Sequence, residues 1–389
     1  MNPESTNSLR LKLVAGEASG DAHGASLVQA LREVAPHITF DFFGATGARM
    51  RAAGVESIVD TDKLSIMGLV EVARVLPKFL SAYRKLKQAT IEREPHAVIL
   101  IDWPDFNLRF ARWLHRRGVR VIYYVSPQLW AWRSYRARNI RRDVDLLLSI
   151  LPFEKDWYAS RGMTHVEFVG HPLAENVTAA YDRAEFCRRH DLDPTKPIIS
   201  LLPGSRHKEL ARILPPLLDA ATTISKTHPE IQFVVVVAPN RDLKEAEQII
   251  ANRKHSLPRT LRIIHHETRE ALAASDVAAV ASGTATLEAA LLGTPMVIVY
   301  KESFLNWHAL GSLINVEHYG LVNLIAGRRV ATELIQNDLD AEGLARELLH
   351  LLEPDCNRSF RLELALLSEK LGTGSASRVA AERILEFLI

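Results

Sequence analysis

At 389 residues the chain is too long for one ordinary core and points to two domains. Its 47% hydrophobic and 24% charged residues are those of a soluble globular protein, and a formal net charge of +2 selects no partner. Only two cysteines occur, Cys187 and Cys356, which excludes a disulfide framework or thiolate metal site and points to the cytoplasm. The polar first ten residues hold no apolar signal core, and no apolar run approaches the ~18 residues of a membrane span, so membrane contact is expected to be peripheral.

Leu11–Ala15 reads as a first strand, Gly16–Gly24 as a glycine-rich turn, and Ala25–Val34 as a helix. The turn matches neither a P-loop nor Gly-x-Gly-x-x-Gly, so phosphate or nicotinamide binding is not licensed, and tight packing explains the glycines equally well. Strands follow near Ile38–Phe43 and Val55–Val59, with Gly44 and Gly47 in the turn between them. Leu64–Lys87 is apolar in front, then carries Lys78, Arg84, Lys85 and Lys87. That pattern suits an interfacial helix or an ordinary one burying its apolar side, and Pro77 interrupts it.

Ala97–Ile101 is a continuous apolar run, as in a strand covered on both faces of a parallel sheet. Asp102 and Asp105 follow on either side of a Trp-Pro corner, beyond the carboxyl end of the strand, where open parallel sheets bind ligands. Asp102 is open to a chemical role or a strand-ending one; Asp105 reads better as a helix cap. From Phe106 to Arg142 there are ten arginines and no acidic residue, with Val119–Val125 as a strand among them and Ser126–Tyr135 rich in aromatics. Charge confined to one segment argues against nucleic acid, and a phosphorylated small substrate or an anionic lipid surface fits it. Strands at Asp145–Ile150 and His165–Val169 complete the first half, and Gly170-His-Pro172 reads as the crossing into the second.

The second half repeats the plan with strands at Ile198–Leu202, Phe233–Ala238, Arg262–Ile264, Val277–Ala281 and Thr294–Tyr300, then a last helix at Ser375–Leu388. Alternation of strands and helices implies a parallel sheet in each half, and two such domains would face each other across a cleft. Ser282-Gly-Thr-Ala-Thr-Leu-Glu288 places small residues at a helix start, where free N–H groups favour an anion such as pyrophosphate and Glu288 could accept ribose hydroxyls. In Pro203-Gly-Ser-Arg206 the glycine permits close approach and Arg206 offers a fork of donors to phosphate. No metal site is expected. The Asp-x-Asp pairs Asp60/Asp62, Asp143/Asp145, Asp191/Asp193 and Asp338/Asp340 sit in connectors or at the wrong strand end, and no His-Glu-x-x-His or Gly-x-Ser-x-Gly occurs.

Taken together, Val14-Ala-Gly-Glu-Ala-Ser-Gly-Asp21, Ile66-Met-Gly-Leu-Val-Glu-Val72, Asp102-Trp-Pro-Asp-Phe-Asn107, Tyr124-Val-Ser-Pro-Gln-Leu-Trp-Ala-Trp-Arg133, Leu151-Pro-Phe-Glu-Lys155, Leu202-Pro-Gly-Ser-Arg206, Ser282–Glu288 and Asn323-Leu-Ile-Ala-Gly327 closely resemble the lipid-A-disaccharide synthase family. The resemblance implies a glycosyltransferase-B architecture. Two doubly wound Rossmann-like α/β domains, 1–175 and 176–374, would face across a cleft, with a C-terminal helix 375–389 crossing back to the first. It implies an inverting, metal-independent transferase without cofactor. UDP-2,3-diacylglucosamine and 2,3-diacylglucosamine 1-phosphate would give a β(1→6) disaccharide and UDP.

On the matching motifs, Asp102 takes the place of the catalytic base. Gly204, Ser205, Arg206, Ser282, Gly283, Thr284, Glu288 and Asn323 fall on the UDP side, and Gly16, Ser19, Asp105, Asn107, Trp132 and Arg133 on the acceptor side. Ile66, Met67, Leu69 and Val70 fall to membrane or acyl contact. Trp103 stands where the family often has a small residue. The resemblance further implies a homodimer, peripheral on the inner face of the cytoplasmic membrane, with acylated sugars and no nucleic acid as partners. Two other readings stay open: a UDP-N-acetylglucosamine 2-epimerase on the same plan, and a non-catalytic UDP-sugar or lipid binder.

Overall fold

The computed structural model describes residues 8–63, 72–253, 257–303, 317–372 and 374–389. Ile66, Met67, Leu69 and Val70 lie outside the described residues. The chain forms two units, Met1–Pro172 with Leu371–Ile389, and Leu173–Lys370.

The first unit holds a parallel sheet of seven strands: β1 (Ser8–Ala15), β2 (Thr39–Thr46), β3 (Glu56–Asp60), β4 (Ala97–Ile101), β5 (Val121–Tyr124), β6 (Leu146–Ser149) and β7 (Val166–Phe168). Their order is β3-β2-β1-β4-β5-β6-β7. The chain winds outward from β1 to β3, then returns to the other side of β1 with β4, so the ends of β1 and β4 bound a topological switch point. Both faces are covered, which explains the unbroken apolar runs of the central strands. Leu27 and Leu31 of helix Ala18–Val34, with Ile384 of the C-terminal helix Ala376–Leu388, pack on one face; Leu86, Phe110 and Leu114 pack on the other.

Two local expectations are corrected here. The first helix begins at Ala18 rather than Ala25, because Gly20 and Gly24 serve close packing within it and not a turn. A Cβ on Gly24 would stand 2.3 Å from Met50 Sδ. Gly44 lies inside β2 and not between strands: its φ is +156°, and a Cβ there would meet the Leu13 carbonyl oxygen at 1.8 Å. Gly47 caps the short helix Ala48–Ala52, whose first N–H groups are held by the buried Asp21 carboxylate (Gly47 N 2.7 Å, Arg49 N 2.8 Å, Met50 N 3.1 Å). The last residue of the Gly-Glu-Ala-Ser-Gly-Asp stretch is therefore a structural tie.

The second unit holds six parallel strands: β8 (Ile198–Leu202), β9 (Gln232–Val237), β10 (Leu261–His265), β11 (Val277–Ala281), β12 (Met296–Tyr300) and β13 (Glu333–Ile335), in the order β10-β9-β8-β11-β12-β13. Its switch point falls between β8 and β11. Edge strand β13 was not legible in advance, being three half-buried residues without a period to read. Among the described residues, no helix is long and apolar enough to cross a membrane.

Candidate functional site

In the first unit, β4 delivers Asp102 to the switch point. Asp102 and Trp103 both adopt left-handed backbone (φ +48° and +52°), a conformation that costs an ordinary side chain ~1–2 kcal/mol and must be held by its surroundings. The clamp is Asn107, fully buried, whose Nδ2 donates to the Asp102 carbonyl at 2.7 Å and, at longer range, to those of Ile101 (3.3 Å) and Val14 (3.4 Å). Tyr123 Oη donates to the same Asp102 carbonyl at 2.7 Å. The corner is thus tied to the ends of β1, β4 and β5, which leaves the Asp102 carboxylate half-buried beside it.

Burial, and next the Glu17 carboxylate, push the Asp102 carboxyl above the ordinary carboxylate range, while the Trp103 N–H opposes them. Glu17 precedes helix Ala18–Val34 just after β1, so the switch point sets two acids near one another. Glu17 stands in the sequence only as part of the Gly16–Asp21 motif; nothing local announces a carboxylate partner so distant along the chain.

Trp103 fills the gap between the two strand ends. Its indole stacks on Phe106 (centroids 4.1 Å apart, planes 5° apart) and lies so close over Gly16 that a Cβ there would reach 2.0 Å from its Cδ2. A large residue fits at this corner because its neighbour is glycine. Ser19 is exposed in the first turn of its helix. Asp105 is 68% exposed and accepts from Arg136 Nη1 at 2.7 Å and Arg133 Nη1 at 3.4 Å. Arg133 also lies over the exposed Trp132 ring at 4.2 Å. The loop below these two is anchored by Trp130, whose Nε1 donates to the fully buried Glu154 at 3.1 Å.

In the second unit, the loops after β8 and β11 enclose a hollow of about 400 Å³ lined by Gly204, Ser205, Arg206, Ser282, Gly283, Thr284 and Glu288, seven of the eight residues expected on the UDP side. Gly204 takes φ +104° to turn the chain. Glu209, which the sequence did not single out, organises this loop: its carboxylate accepts from Ser205 N (3.0 Å), Arg206 N (3.1 Å) and Arg206 Nη1 (2.8 Å). Glu288 is largely buried and receives Arg269 Nε at 3.1 Å. The helix Thr284–Leu291 starts at Gly283 and aims its first N–H groups into the hollow's wall.

Asn323 does not line that hollow. Its buried amide is spent internally: Nδ2 donates to Ala331 O and Glu333 Oε1, and Oδ1 accepts from Val330 N and Ala331 N, all at 2.8 Å. Glu333 in turn accepts from Tyr319 N and Gly320 N, and the Tyr319 carbonyl receives Ser282 Oγ at 2.8 Å. Among the described residues, this chain of bonds is what connects Asn323 to the hollow.

Among the described residues no three side chains of His, Cys, Asp and Glu are gathered as a metal site. Asp143 is buried against Arg142 (2.6 Å), and Asp145 accepts from Val121 N at 2.8 Å.

Two doubly wound α/β units, one with a strained acid at its switch point and the other with an anion-ready hollow at its own, define a class of proteins that handle nucleotide-activated sugars. Solved structures share the fold. UDP-GlcNAc 2-epimerase from Neisseria meningitidis, bound to UDP-GlcNAc, matches with a TM-score of 0.62 at 12% identity, covering 97% of this chain and 99% of that one. The glycotransferase of kitacinnamycin matches at 0.64 and 14%, covering 97% and 98%.

The family model described as lipid-A-disaccharide synthetase matches residues 11–382, and the chain belongs to that family. It is 44% identical over 382 residues to lipid-A-disaccharide synthase of Solibacter usitatus (strain Ellin6076), covering 97% of this chain and 98% of the relative. The corresponding protein of Myxococcus xanthus (strain DK1622) is 43% identical over 385 residues, with 98% of each covered. Membership favours the transferase over the epimerase and the non-catalytic binder.

Proposed function

We propose that the chain transfers the diacylated glucosamine of UDP-2,3-diacylglucosamine to the 6-hydroxyl of 2,3-diacylglucosamine 1-phosphate, forming the β(1→6) disaccharide and releasing UDP. Asp102 removes the hydroxyl proton as that oxygen attacks the anomeric carbon opposite UDP. The new C–O bond forms as the bond to the departing phosphate oxygen breaks, and configuration inverts with oxocarbenium character at the sugar. Arg206 and the helix start at Gly283-Thr284 receive the leaving pyrophosphate, whose charge they meet without a metal, and Glu288 the ribose. The observation that carries the reading is the clamped left-handed Asp102, raised toward the working range of a base by burial and by Glu17.

Asp102→Asn is a clean test, because asparagine tolerates left-handed backbone. Turnover should fall ~10²–10⁴-fold while UDP binding is kept. A loss of only a few fold in the folded variant would return Asp102 to a structural role. Chelator should leave turnover unchanged; a loss restored by a divalent cation would sink the metal-free mechanism.

We further assign the protein to the inner face of the cytoplasmic membrane, as a peripheral homodimer. Exposed Leu80 and Ile91 beside exposed Lys78, Arg84 and Lys85 support the first assignment, since both substrates carry acyl chains. Leu362 and Leu366, exposed one turn apart on helix Pro354–Lys370, support the second. Vesicle flotation and the solution mass test them; absence from vesicles or a monomer at micromolar concentration would count against each.

A further inference from the structure

In the first unit, helices Pro104–His115 and Ala137–Asp143 border a hollow of about 160 Å³ that begins at Pro104 and Asp105, beside the Asp102 corner. Arg109, Arg112, Arg136 and Arg142 all line it. So do two carboxylates, each already engaged. Asp105 holds Arg136 and Arg133, and Asp143 receives Arg142 through Nε and Nη2, both at 2.6 Å. Arg109 and Arg112 stand exposed one helical turn apart; Tyr83 Oη donates to the Arg109 carbonyl at 3.3 Å, but among the described residues no side chain forms an ion pair or hydrogen bond with either guanidinium group. Among the described residues, four guanidinium groups against two carboxylates leave two positive charges uncompensated around one small concavity. Like charges this close repel, and an anion with several acceptor oxygens relieves them better than any single carboxylate.

We propose that this hollow binds a phosphate monoester, namely the anomeric phosphate of the acceptor sugar. The assignment rests on the transferase reading and adds the residues that would distinguish a phosphorylated acceptor from a bare one. The geometry suits it. Arg109 lies five residues beyond Pro104, about 7.5 Å along the same helix axis, comparable with the span of one sugar ring and its substituents. A phosphate gripped there would hold the ring with its opposite edge toward the Asp102 corner, in fixed register with it because the helix starts at that corner. This also gives the arginine-rich segment a ligand of the right charge and size.

The test is the Arg109→Ala/Arg112→Ala double variant, assayed in neutral detergent and on phosphatidylglycerol vesicles. Two quantities are read: KM for the 1-phosphorylated acceptor, and the inhibition constant of the same acceptor with its phosphate removed. The expected result is a rise in KM of roughly 10–100-fold in both media, the scale of losing charge-assisted hydrogen bonds. The maximal rate and UDP affinity should hold, and the inhibition constant of the dephosphorylated sugar should stay within about threefold. The Arg109→Lys/Arg112→Lys variant should recover part of the KM. Equal weakening of both acceptors, or no change in either, would overturn the proposal. Loss only on phosphatidylglycerol vesicles would also overturn it and assign the hollow to a lipid headgroup. Failure of the wild-type protein to make any disaccharide would instead strike the transferase reading itself.

Discussion

Replacing Glu154 by glutamine should stabilise the protein, and more so as pH rises. Glu154 has no exposed surface, and its carboxyl is pushed up to about 8, chiefly by burial, with Trp130 Nε1, the backbone N–H groups of Leu151 and Ile150, and Ser126 opposing. The ordinary value is 4.5, so between pH 4.5 and about 8 the folded chain binds more protons here than the unfolded chain. Stability from this group is therefore complete below pH 4.5 and drains away as pH rises through about 8. At ~1.4 kcal/mol per pH unit, the full loss is at most about 5 kcal/mol, of which about 3 has gone by pH 7. Glutamine reproduces the protonated state, keeps an acceptor for Trp130 and cannot ionise.

Urea titrations of both proteins across pH 5–8, followed by tryptophan fluorescence, read the difference directly. Trp103, Trp113, Trp130, Trp132 and Trp157, five of the six tryptophans, lie in the first unit with Glu154, so the signal reports mostly on that unit. The gain from Glu154→Gln should grow steadily over that range. A constant difference, or a loss at every pH, would refute the account of Glu154 as a neutral buried acid. Ionising it also places a charge under Trp130, so the neighbouring Trp132 and Arg133 should loosen first at alkaline pH.

Lys12 gives the opposite slope. It is fully buried on β1, donates to Leu86 O and to Thr90 Oγ1 (2.8 Å), and burial, then Arg93, lower it to about 7 from 10.5. The unfolded chain binds more protons between those values, so wild-type stability rises with pH there; Lys12→Met should stabilise most at or below pH 7, with the gain gone near pH 10.5 on the same urea titration. Gly204→Ala combines a φ of +104° with a Cβ 2.5 Å from Glu209 Oε2, and should weaken UDP binding measured by calorimetry at least tenfold while Asp102-side acceptor binding holds; unchanged affinity would show the loop to be slack. Asn323→Asp replaces a donor to Glu333 by a second buried acid and should cost about 3 kcal/mol or more in urea unfolding; weaker UDP binding without that cost would give Asn323 a direct contact with nucleotide.

Strands β8 and β11 were readable to the residue, because a strand covered on both faces must be apolar throughout and is ended by small or turn-forming residues. The segments after β4, β8 and β11 were legible for the same reason: chemistry in a doubly wound sheet collects at strand ends. The boundary of the first helix was not, since Gly20 and Gly24 look like turn residues until Ala15 and Met50 are seen packed against them. Asn323 was placed on the nucleotide by resemblance to a motif, whereas its amide serves Glu333 and the loop around Val330.

The order of strands and helices, the buried runs and the positions of Asp102, Arg206 and Glu288 at loop mouths follow from the amino-acid sequence alone, because backbone period and burial are local properties. Which charge faces which does not. Glu17 beside Asp102, Asp105 taking Arg133 and Arg136, Arg269 on Glu288, and the Arg109 and Arg112 guanidinium groups left without a side-chain partner among the described residues were decided only when the chain folded. Electrostatic partners are chosen by distance in space, and sequence spacing carries no information about that distance beyond one helical turn or one hairpin.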